Sequence, residues 1–413
     1  MEQKIDLVNI YTYLTPIALF LILLEMLYCY FYKKNYISFS QAITNLGTAI
    51  GNQCVNLGVA YVVITVFGKI YDYRFFTIPT TLLNFVILLI AFDGLFYWFH
   101  RHGHSINILW AAHMPHHSSE EFNLFVGLRA SITQRLFSFS YMWPLALMGF
   151  EPAAIYAASA VQLIIAFWHH TRVIKKMGWF EIIFNSPSYH RIHHAINEKY
   201  LDKNFGEIFI LWDKMFGTCV KEDEEPVYGC LTPVNSLDPN KIYVQYWKML
   251  YTDMMNTRSW KDKVKLWFMP LGWRPLDVKH IERHRVNEKT IKPFMVEVSP
   301  SKKIYLASQG VLGLILMGIT INLGNHLDLL IRFSLIFVLW LMITSWGKTL
   351  EDKKEYGIFE ILRLVFTFII FMHLMGESSQ ELNLIYVLAI IMTTGFIQLA
   401  LHLKLRPLPQ MKN

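Results

Sequence analysis

Histidines carry most of the chemistry that this sequence offers. The 413-residue chain has 16 histidines, and 11 of them lie between positions 100 and 194. Residues three or four positions apart lie on the same face of a helix, so histidines at that spacing can converge on one point. Three clusters have this spacing: His100 and His104; His113, His116 and His117; and His190, His193 and His194. Such clusters predict a metal centre.

The number of histidines indicates two metal ions rather than one. A structural zinc takes four protein ligands and a catalytic zinc takes three and a water, so eight clustered histidines exceed what one ion needs. We expect His170, rather than its neighbour His169, to be a ninth ligand, because it follows an apolar segment. His102 lies off the shared face of its cluster and is expected at the surface or behind the ligands. Imidazole binds iron, copper, nickel and zinc alike, so the residues leave the element open.

An acidic residue, Asp93, precedes the first cluster within an otherwise apolar segment. It lies seven residues before His100, on the same helix face. Ionisable groups in membrane segments are costly and usually functional. Two roles remain open for Asp93: it accepts a hydrogen bond that orients a ligand imidazole, or it pairs with an arginine such as Arg101 or Arg191. Asp202, Asn204 and Asp213 are candidates for similar roles.

Two prolines set the expected local structure of the histidine clusters. Ser186 followed by Pro187 is typical of a helix start, with the serine as N-cap. This helix carries the third cluster on one face. Because proline cannot sit in the middle of a helix, we expect the upstream helix to begin near His113, with Pro115 in its first turn.

Composition and hydropathy place the chain among membrane proteins. Hydrophobic residues make up 54% of it and aromatic residues 15%, and its apolar runs are long enough to cross about 30 Å of hydrocarbon. Clear spans are 10–32, 78–99, 131–150, 152–171, 303–322, 327–346, 357–376 and 384–403. The run 44–68 is interrupted by Asn45, Asn52, Gln53 and Asn56. We count it as a span, because the lysine and arginine clusters then all fall on one side. The predicted fold is an all-α membrane bundle of about nine spans.

The positive-inside rule orients this bundle. It puts the histidine clusters and the C-terminus on the cytoplasmic side, where most of the net charge of +7 lies. We expect N-terminal anchor spans in 1–92, a histidine-bearing core in 93–300 and a four-span region in 301–413. Within the core, 242–250 and 259–273 mix aromatic residues with lysines, which suits helices in the headgroup region or a strip of soluble core. No basic stripe stands apart from the membrane flanks, so nucleic acid is not an expected partner.

No motif for a bound redox cofactor is present. The chain lacks GxGxxG after a strand, a CxxCH haem site and an iron–sulfur cysteine run. Its four cysteines have no CxxC spacing, and they predict neither a disulfide framework nor a zinc knuckle. If the metal centre catalyses an oxidation, its electrons must come from an external donor.

The clusters and their flanks resemble the membrane fatty acid hydroxylase/sterol desaturase superfamily. Its pattern HxxxH, HxxHH, HxxHH is met by HRHGH, HMPHH and HRIHH. The flanks DGLFYWFHR, NSPSYHRIHH, DKNFG and LWDKMFGT are also similar to those of the superfamily. The stretches HHSSEEFN, NLFVGLRASITQ and FWHHTRVI, together with four additional C-terminal spans, are most similar to its alkylglycerol-oxidising branch. The resemblance covers roughly residues 40–300, and the tail only in architecture.

The resemblance implies a non-haem di-iron centre, in which zinc can take the place of iron during preparation. Such a centre uses O2 to insert one oxygen atom into a C–H bond of a membrane lipid. In the alkylglycerol branch this carbon lies beside the ether oxygen, the product separates into a fatty aldehyde and a glycerol derivative, and tetrahydrobiopterin supplies the electrons. Animal members carry glutamate directly after the second histidine, where this chain has Ser105. Serine has no charge, so the donor stays open between a pterin and a redox protein.

Two other functions compete with ether-lipid oxidation. Another hydroxylase or desaturase of the superfamily would act on a sterol, fatty acyl or ceramide chain. A metal transporter would use histidines as transit ligands, but such sites lie near the bilayer midplane, whereas these clusters lie at span ends. The enzyme would lie in the endoplasmic reticulum membrane of a eukaryote or the inner membrane of a bacterium.

Overall fold

The computed structural model describes residues 10–322, 328–353, 355–376 and 382–404. Within these ranges the chain is helical, and its extended pairings are isolated bridges such as that of Ile106 with Pro270. The first helices are α1 (Ile10–Phe31), α2 (Phe39–Tyr71), α3 (Leu82–Gly103), α4 (Asn107–His117), α5 (Leu124–Gly127), α6 (Gln134–Phe139), α7 (Trp143–Met148), α8 (Pro152–Trp168) and α9 (Pro187–His193). The others are α10 (Leu211–Phe216), α11 (Pro239–Asn256), α12 (Trp260–Phe268), α13 (Pro300–Asn322), α14 (Leu329–Leu350), α15 (Tyr356–Gly376) and α16 (Leu382–Lys404). The all-α prediction is confirmed.

Five helices are long and apolar enough to cross a membrane: α2, α3, α13, α14 and α15. Shorter apolar stretches lie in α1, α8 and α16. The interrupted run 44–68 lies within α2, a single helix of 33 residues that follows the N-cap Ser38. Its asparagines face the protein interior, since Asn45, Asn52 and Asn56 are at most 7% exposed. The run therefore lies in one of the helices that are long and apolar enough to cross a membrane, and the chain is an integral membrane protein.

The predicted span 131–150 is wrong as a continuous helix. It folds as α6 and α7, each of six residues and about 9 Å long. A turn at 140–142 separates them. Pro144 has no N–H to continue a helix, and it lies in the first turn of α7. Neither piece is long enough to cross a membrane by itself.

The broken segment nevertheless connects the two ends of the bundle. At its start, Gln134 contacts His113. At its end, the N–H of Phe75, in the loop between α2 and α3, donates to the carbonyl of Leu147 at 2.8 Å. From there α8 returns toward the histidines. The count of about nine crossings therefore stays a prediction.

Helix α2 packs into two hydrophobic cores. On one side, Val63 and Phe67 join side chains of α3, α6, α7 and α8. On the other side, Leu46 and Ile50 join side chains of α13, α14, α15 and α16. Because it belongs to both cores, α2 fixes the C-terminal helices against the histidine-bearing part of the chain.

Helices α11 and α12 cover α4, which carries the second histidine cluster. Tyr246 of α11 and Leu266 of α12 pack against Ala111 and Met114 of α4. The outer face of α12 exposes an apolar stripe of Trp260, Val264 and Phe268. The inner faces of these helices are therefore core, and a position of the outer stripe in the headgroup layer stays a prediction.

Gly149, which ends α7, occupies a position that only glycine fits. Its φ is +113°, and an added Cβ would collide with the carbonyl oxygen of Phe76. We predict that Gly149→Ala destabilises the protein by more than about 1 kcal/mol, measured as a lower thermal midpoint in detergent. Gly58→Ala is the matched control, because a Cβ at Gly58 meets no atom within 4 Å. Equal midpoints for the two variants would contradict the placement of α7.

Candidate metal centre

The structure brings the nine predicted histidines together in two adjoining groups. The five-histidine group contains His100, His104, His113, His117 and His193, and the four-histidine group contains His116, His170, His190 and His194. Within each group, one nitrogen of every ring lies within 4.8 Å of the others. The stacked rings of His117 and His194, with centroids 4.2 Å apart, join the two groups. The arrangement can hold two metal ions side by side, and the binding of metal itself stays a prediction.

The rings of each group face one another through their Nε2 atoms. The Nε2 of His113 lies 3.0 Å from that of His100 and 2.9 Å from that of His117. In the four-histidine group, the Nε2 atoms of His190 and His170 lie 3.0 Å apart. Two nitrogens that bind one ion at about 2.1 Å are separated by about 3.0–3.4 Å, depending on the angle at the ion. The observed spacing suits ligands of a shared ion.

Backbone carbonyl groups decide which ring nitrogen is available to a metal. The Nδ1 atoms of four rings lie 2.7–2.9 Å from carbonyl oxygens: His100 from Phe205, His116 from Arg129, His170 from Ala166 and His193 from Lys203. A carbonyl oxygen only accepts, so each neutral ring carries its proton on Nδ1 and has a bare Nε2. Bare nitrogens that point at one another repel unless a cation lies between them. The donor set therefore fits a metal centre.

Burial favours the uncharged imidazoles of His116, His117 and His194 by lowering their pKa values. It lowers the pKa of His116 to about 4. The pKa values of His117 and His194 are also held well below the ordinary value, first by burial and then by neighbouring imidazoles. Because neutral imidazole is the form that binds a metal, the rings are ready to act as ligands near neutral pH.

The segment 202–213 supports the rings from behind. In addition to the carbonyl groups of Lys203 and Phe205, it supplies Asp202, whose Oδ1 lies 3.4 Å from Nδ1 of His104. This is the contact expected of an orienting carboxylate. Asp202 and Asn204 have φ values of +56° and +55°, a conformation that aspartate and asparagine tolerate better than most residues.

Asn204 and Asp213 hold this segment in place rather than touching a ring. The Nδ2 of Asn204 donates to the carbonyl of Tyr189 at 3.1 Å. Asp213 accepts from the N–H groups of Phe205 and Gly206 at 2.8 and 2.7 Å. Their effect on the histidines is therefore indirect, through the position of the backbone carbonyl groups.

Asp93 has neither of its two expected roles. Its carboxylate accepts hydrogen bonds from Nε2 of Gln162 at 3.0 Å, from the N–H groups of Ile208 and Phe209 at 3.0 and 3.1 Å, and from Nε1 of Trp212 at 2.9 Å. A fully buried carboxylate needs several donors, and segment 202–213 crosses beside it with three of them. Asp93 therefore fixes that segment to α3 and reaches neither an imidazole nor an arginine.

One of the two helix starts was predicted correctly. Ser186 is the N-cap of α9, as expected. The start of α4 near His113 was wrong, because the helix runs through Asn107–His117 and has Pro115 in its last turn. A proline at the end of a helix removes few hydrogen bonds, and the carbonyl of Pro115 accepts from the hydroxyl of Ser118 at 2.7 Å. The cluster keeps one face because these residues stay helical.

Of the 11 histidines between positions 100 and 194, the two that were not expected to be ligands lie outside both groups. His169 is buried, with its ring 5.8 Å from that of His190. Nδ1 of His102 lies 3.0 Å from the hydroxyl of Tyr141. The preference for His170 over His169 therefore agrees with the positions of the rings.

Glu207 is a candidate functional residue that the sequence analysis missed. It is 5% exposed, and its Oε2 lies 3.8 Å from Nδ1 of His100. A carboxylate oxygen and one ring nitrogen each of His169 and His190 lie within 4.8 Å of one another. Among the described residues, Nδ1 of His169 and Nδ1 of His190 have no hydrogen-bond partner. Glu207 thus lies beside one ring of each group, but a single glutamate in an apolar loop has no spacing that would reveal it.

A cavity of about 250 Å³ opens beside the histidines. One end is lined by His100, His113, His116, His170 and Glu207. From there the cavity continues between α2, α3, α6 and α8. It offers a substrate access to both histidine groups from within the helix bundle.

Comparison with known proteins identifies the class to which this site belongs. Residues 85–218, which contain all three histidine clusters, match the family model of the fatty acid hydroxylases. The alkylglycerol monooxygenase of Homo sapiens is 33% identical over 358 residues, which cover 84% of this chain and 79% of the relative. That of Xenopus tropicalis is 29% identical over 361 residues, with the same coverage. The chain belongs to the fatty acid hydroxylase family. It is similar along most of its length to alkylglycerol monooxygenases and is an oxygen-dependent oxidoreductase.

A more distant relative is similar over a shorter part of the chain. The ornithine lipid hydroxylase of Rhizobium tropici is 32% identical over 132 residues, which cover 32% of this chain and 40% of the relative. No solved structure matches the chain. Membership in a family of oxidoreductases argues against the transporter alternative and leaves lipid hydroxylation or desaturation as the activity.

We predict that Asp93→Asn lowers the stability of the protein. The amide keeps one acceptor oxygen and turns N–H groups toward the donors of segment 202–213, so at least one buried donor loses its partner. A lost hydrogen bond to a buried charged group costs about 1.5–3 kcal/mol, which a lower thermal midpoint would report. Asp202→Asn is the matched control, since that side chain is 64% exposed. Equal midpoints in the two variants would refute the structural role of Asp93.

Proposed function

We propose that this protein is a di-iron monooxygenase that hydroxylates the carbon next to the ether oxygen of an alkylglycerol. The observation that carries the proposal is the pair of adjoining histidine groups at the end of a cavity between membrane helices. The similarity to alkylglycerol monooxygenases over 84% of the chain supports the substrate. Iron is the metal of the family, and neutral imidazole nitrogens suit it.

Each histidine group would hold one ion through its Nε2 atoms. The carbonyl groups behind the rings keep the Nδ1 protons outside and the bare nitrogens inside. When bound, the two ions supply the activation of O2 and the oxidation of the C–H bond. The cavity positions the lipid against the rings and separates the reacting carbon from bulk water.

The reaction requires two electrons from outside the chain. One oxygen atom of O2 enters the C–H bond, and the other leaves as water after taking up two electrons and two protons. The hydroxylated carbon also bears the ether oxygen, so the product is a hemiacetal that separates into a fatty aldehyde and a glycerol derivative. The donor is a reduced pterin such as tetrahydrobiopterin or a redox protein. Ser105 does not distinguish between these two electron donors. It is exposed, and its hydroxyl donates to the carbonyl of Arg101 at the end of α3.

The proposal includes nine membrane crossings with the histidines on the cytoplasmic side. Five long apolar helices, three shorter apolar stretches and the broken segment 131–150 account for them. The regions 1–92, 93–300 and 301–413 would then be anchor, catalytic core and C-terminal membrane region. The basic tail of 405–413 lies outside the described residues. The membrane is the endoplasmic reticulum in a eukaryote or the inner membrane in a bacterium.

A second candidate is hydroxylation or desaturation of another lipid. The similarity of about a third of the chain to an ornithine lipid hydroxylase supports it, since the histidine groups alone do not select the lipid. Sterol, fatty acyl and ceramide chains are the alternative substrates. The two candidates differ in their products, because only attack beside an ether oxygen releases an aldehyde.

Product identification tests the proposal directly. Purified enzyme is mixed without O2 with a reductant and a long-chain alkylglycerol, and isotopically labelled O2 is then added. We expect a fatty aldehyde that carries one labelled oxygen atom when it is trapped at once. The activity should disappear in His117→Ala and persist in His102→Ala, whose ring lies outside both groups. An intact ether beside a hydroxylated sterol or acyl chain would select the second candidate, and full turnover in His117→Ala would refute the two-metal centre.

Glu207 should strengthen metal binding by orienting His190. Since Nε2 of His190 faces the four-histidine group, its Nδ1 is the nitrogen available to the carboxylate. We predict that Glu207→Ala weakens the binding of one of the two ions about 10–100-fold. Glu207→Gln keeps an acceptor oxygen and should retain most of the affinity. Metal per chain during titration with a chelator measures both variants.

The control for Glu207 is Glu225→Ala, which removes an exposed carboxylate and should leave both affinities unchanged. If Glu207→Ala binds both ions as tightly as the wild type, the orienting role is wrong. If both ions are lost together with the thermal midpoint, the residue acts on the fold rather than on one ring.

A further inference from the structure

The cavity beside the histidines has one apolar side and one polar side. Helices α3 and α8 contribute apolar residues, among them Phe92, Phe96, Leu163 and Phe167. The polar wall, which we define as Asn52, Gln53, Asn56, Ser131, Gln134 and Ser138, comes from α2 and from the segment that includes α6. Polar side chains in membrane helices are costly and usually functional. An oxygenase for a plain hydrocarbon chain needs only the apolar side.

A chain of hydrogen bonds fixes how the polar wall is oriented. The Nδ2 of Asn52 donates to the carbonyl of Ser131 at 2.5 Å, and a carbonyl can only accept. Asn52 therefore presents its Oδ1 to Asn56, whose Nδ2 donates to it at 2.6 Å. This arrangement excludes a flipped amide at either position. It leaves the Oδ1 of Asn56 as the end of the chain.

The Oδ1 of Asn56 is a buried hydrogen-bond acceptor that lacks a donor. Asn56 is 3% exposed and lines the cavity, and among the described residues its Oδ1 has no hydrogen-bond partner. A buried acceptor without a donor costs about 1–3 kcal/mol. A ligand that brings a donor into the cavity would recover that free energy.

The charge of the cavity selects the kind of donor. Arg129, which also lines it, is 2% exposed and donates only to neutral oxygens: the carbonyl of Pro115, the hydroxyl of Ser118 and the Oδ1 of Asn45. Arg135 also lines the cavity, and Glu207 is the one acidic side chain among the described residues that line it, so positive charge prevails there and disfavours an ammonium group. Carboxylates and phosphodiesters have no proton to donate. Hydroxyl and amide N–H groups are the remaining donors that lipids commonly carry, and of these the headgroup of an alkylglycerol supplies the hydroxyl.

We propose that the polar wall receives the hydroxyl-bearing headgroup of the lipid, with a hydroxyl donating to the Oδ1 of Asn56. The inference rests on the proposed function, in which the oxidised carbon is bonded directly to the ether oxygen of the headgroup. The headgroup must then enter the cavity with that carbon, whereas oxidation far along an acyl chain would leave it outside. A cavity of about 250 Å³ suits a small polyol and the first methylenes.

Two ethers with the same oxidisable carbon test the assignment in the metal-loaded enzyme. One is a 1-O-alkylglycerol, and the other is the matched alkyl propyl ether, in which hydrogens replace both hydroxyl groups. Aldehyde release gives kcat/KM for each. The wild type should prefer the alkylglycerol by about tenfold or more, because the analogue leaves the buried acceptor unpaired. Asn56→Leu should lower kcat/KM for the alkylglycerol by a similar factor and change that for the propyl ether less than about twofold.

Thr65→Val is the control on the same helix. Its hydroxyl donates to the carbonyl of Tyr61 on an exposed face, so both ethers should keep their wild-type rates. A wild type that treats the two ethers alike refutes the subsite without any variant, which covers the case in which Asn56→Leu fails to fold. Equal losses for both ethers in Asn56→Leu would show a structural role instead. Aldehyde from neither ether would refute the proposed function and this inference with it.

Discussion

Nine imidazoles can surround two small volumes only if each ring turns a bare Nε2 inward, and each ring then needs an acceptor for the Nδ1 proton on its outer side. Four of the rings find a backbone carbonyl there. Those carbonyl groups belong to Ala166 near the end of α8, to Arg129 between α5 and α6, and to Lys203 and Phe205 of segment 202–213. The orientation of the histidine rings therefore depends on backbone carbonyl groups of residues that are not themselves ligands. Asp93 and Asp213 contribute by fixing segment 202–213, which makes them essential to the site without contact with it.

Helix α2 supplies most of the amide side chains that make the cavity polar although it lies among membrane helices. Its asparagines would be costly against lipid, and the structure turns them inward, where Asn45 accepts from Arg129 and Asn52 donates to Ser131. The outer face of the same helix packs against α13 and α14. One helix thus separates the cavity from the C-terminal core. Of the four polar interruptions that made it a weak span in the sequence, Asn52, Gln53 and Asn56 line the cavity, and Asn45 accepts from Arg129.

Features that depend only on the spacing of nearby residues could be predicted from the sequence. Histidines three and four apart share a helix face wherever the helix lies, so the clusters and the N-cap at Ser186 could be read without a structure. The role of Asp93 could not, because its partners are the backbone N–H groups of Ile208 and Phe209, 115 and 116 positions away. Glu207 gave no signal for the same reason. Its candidate role depends on the imidazole rings beside it, and those rings are distant from Glu207 in the sequence.

The segments in which the structure departs from the expectations lie close to one another in the fold. The span 131–150, the helix start at His113 and the role of Asp93 all concern segments that line the cavity or support the rings. A straight helix through 131–150 would rise about 30 Å in one direction, with no turn after Ser138. The break comes directly after Ser138 and Phe139, which line the cavity, and it turns the chain away from that direction. Local rules are expected to fail where function requires a less regular backbone. Of the three departures only the break between α6 and α7 is of this kind, and it lies directly after the residues of α6 that line the cavity.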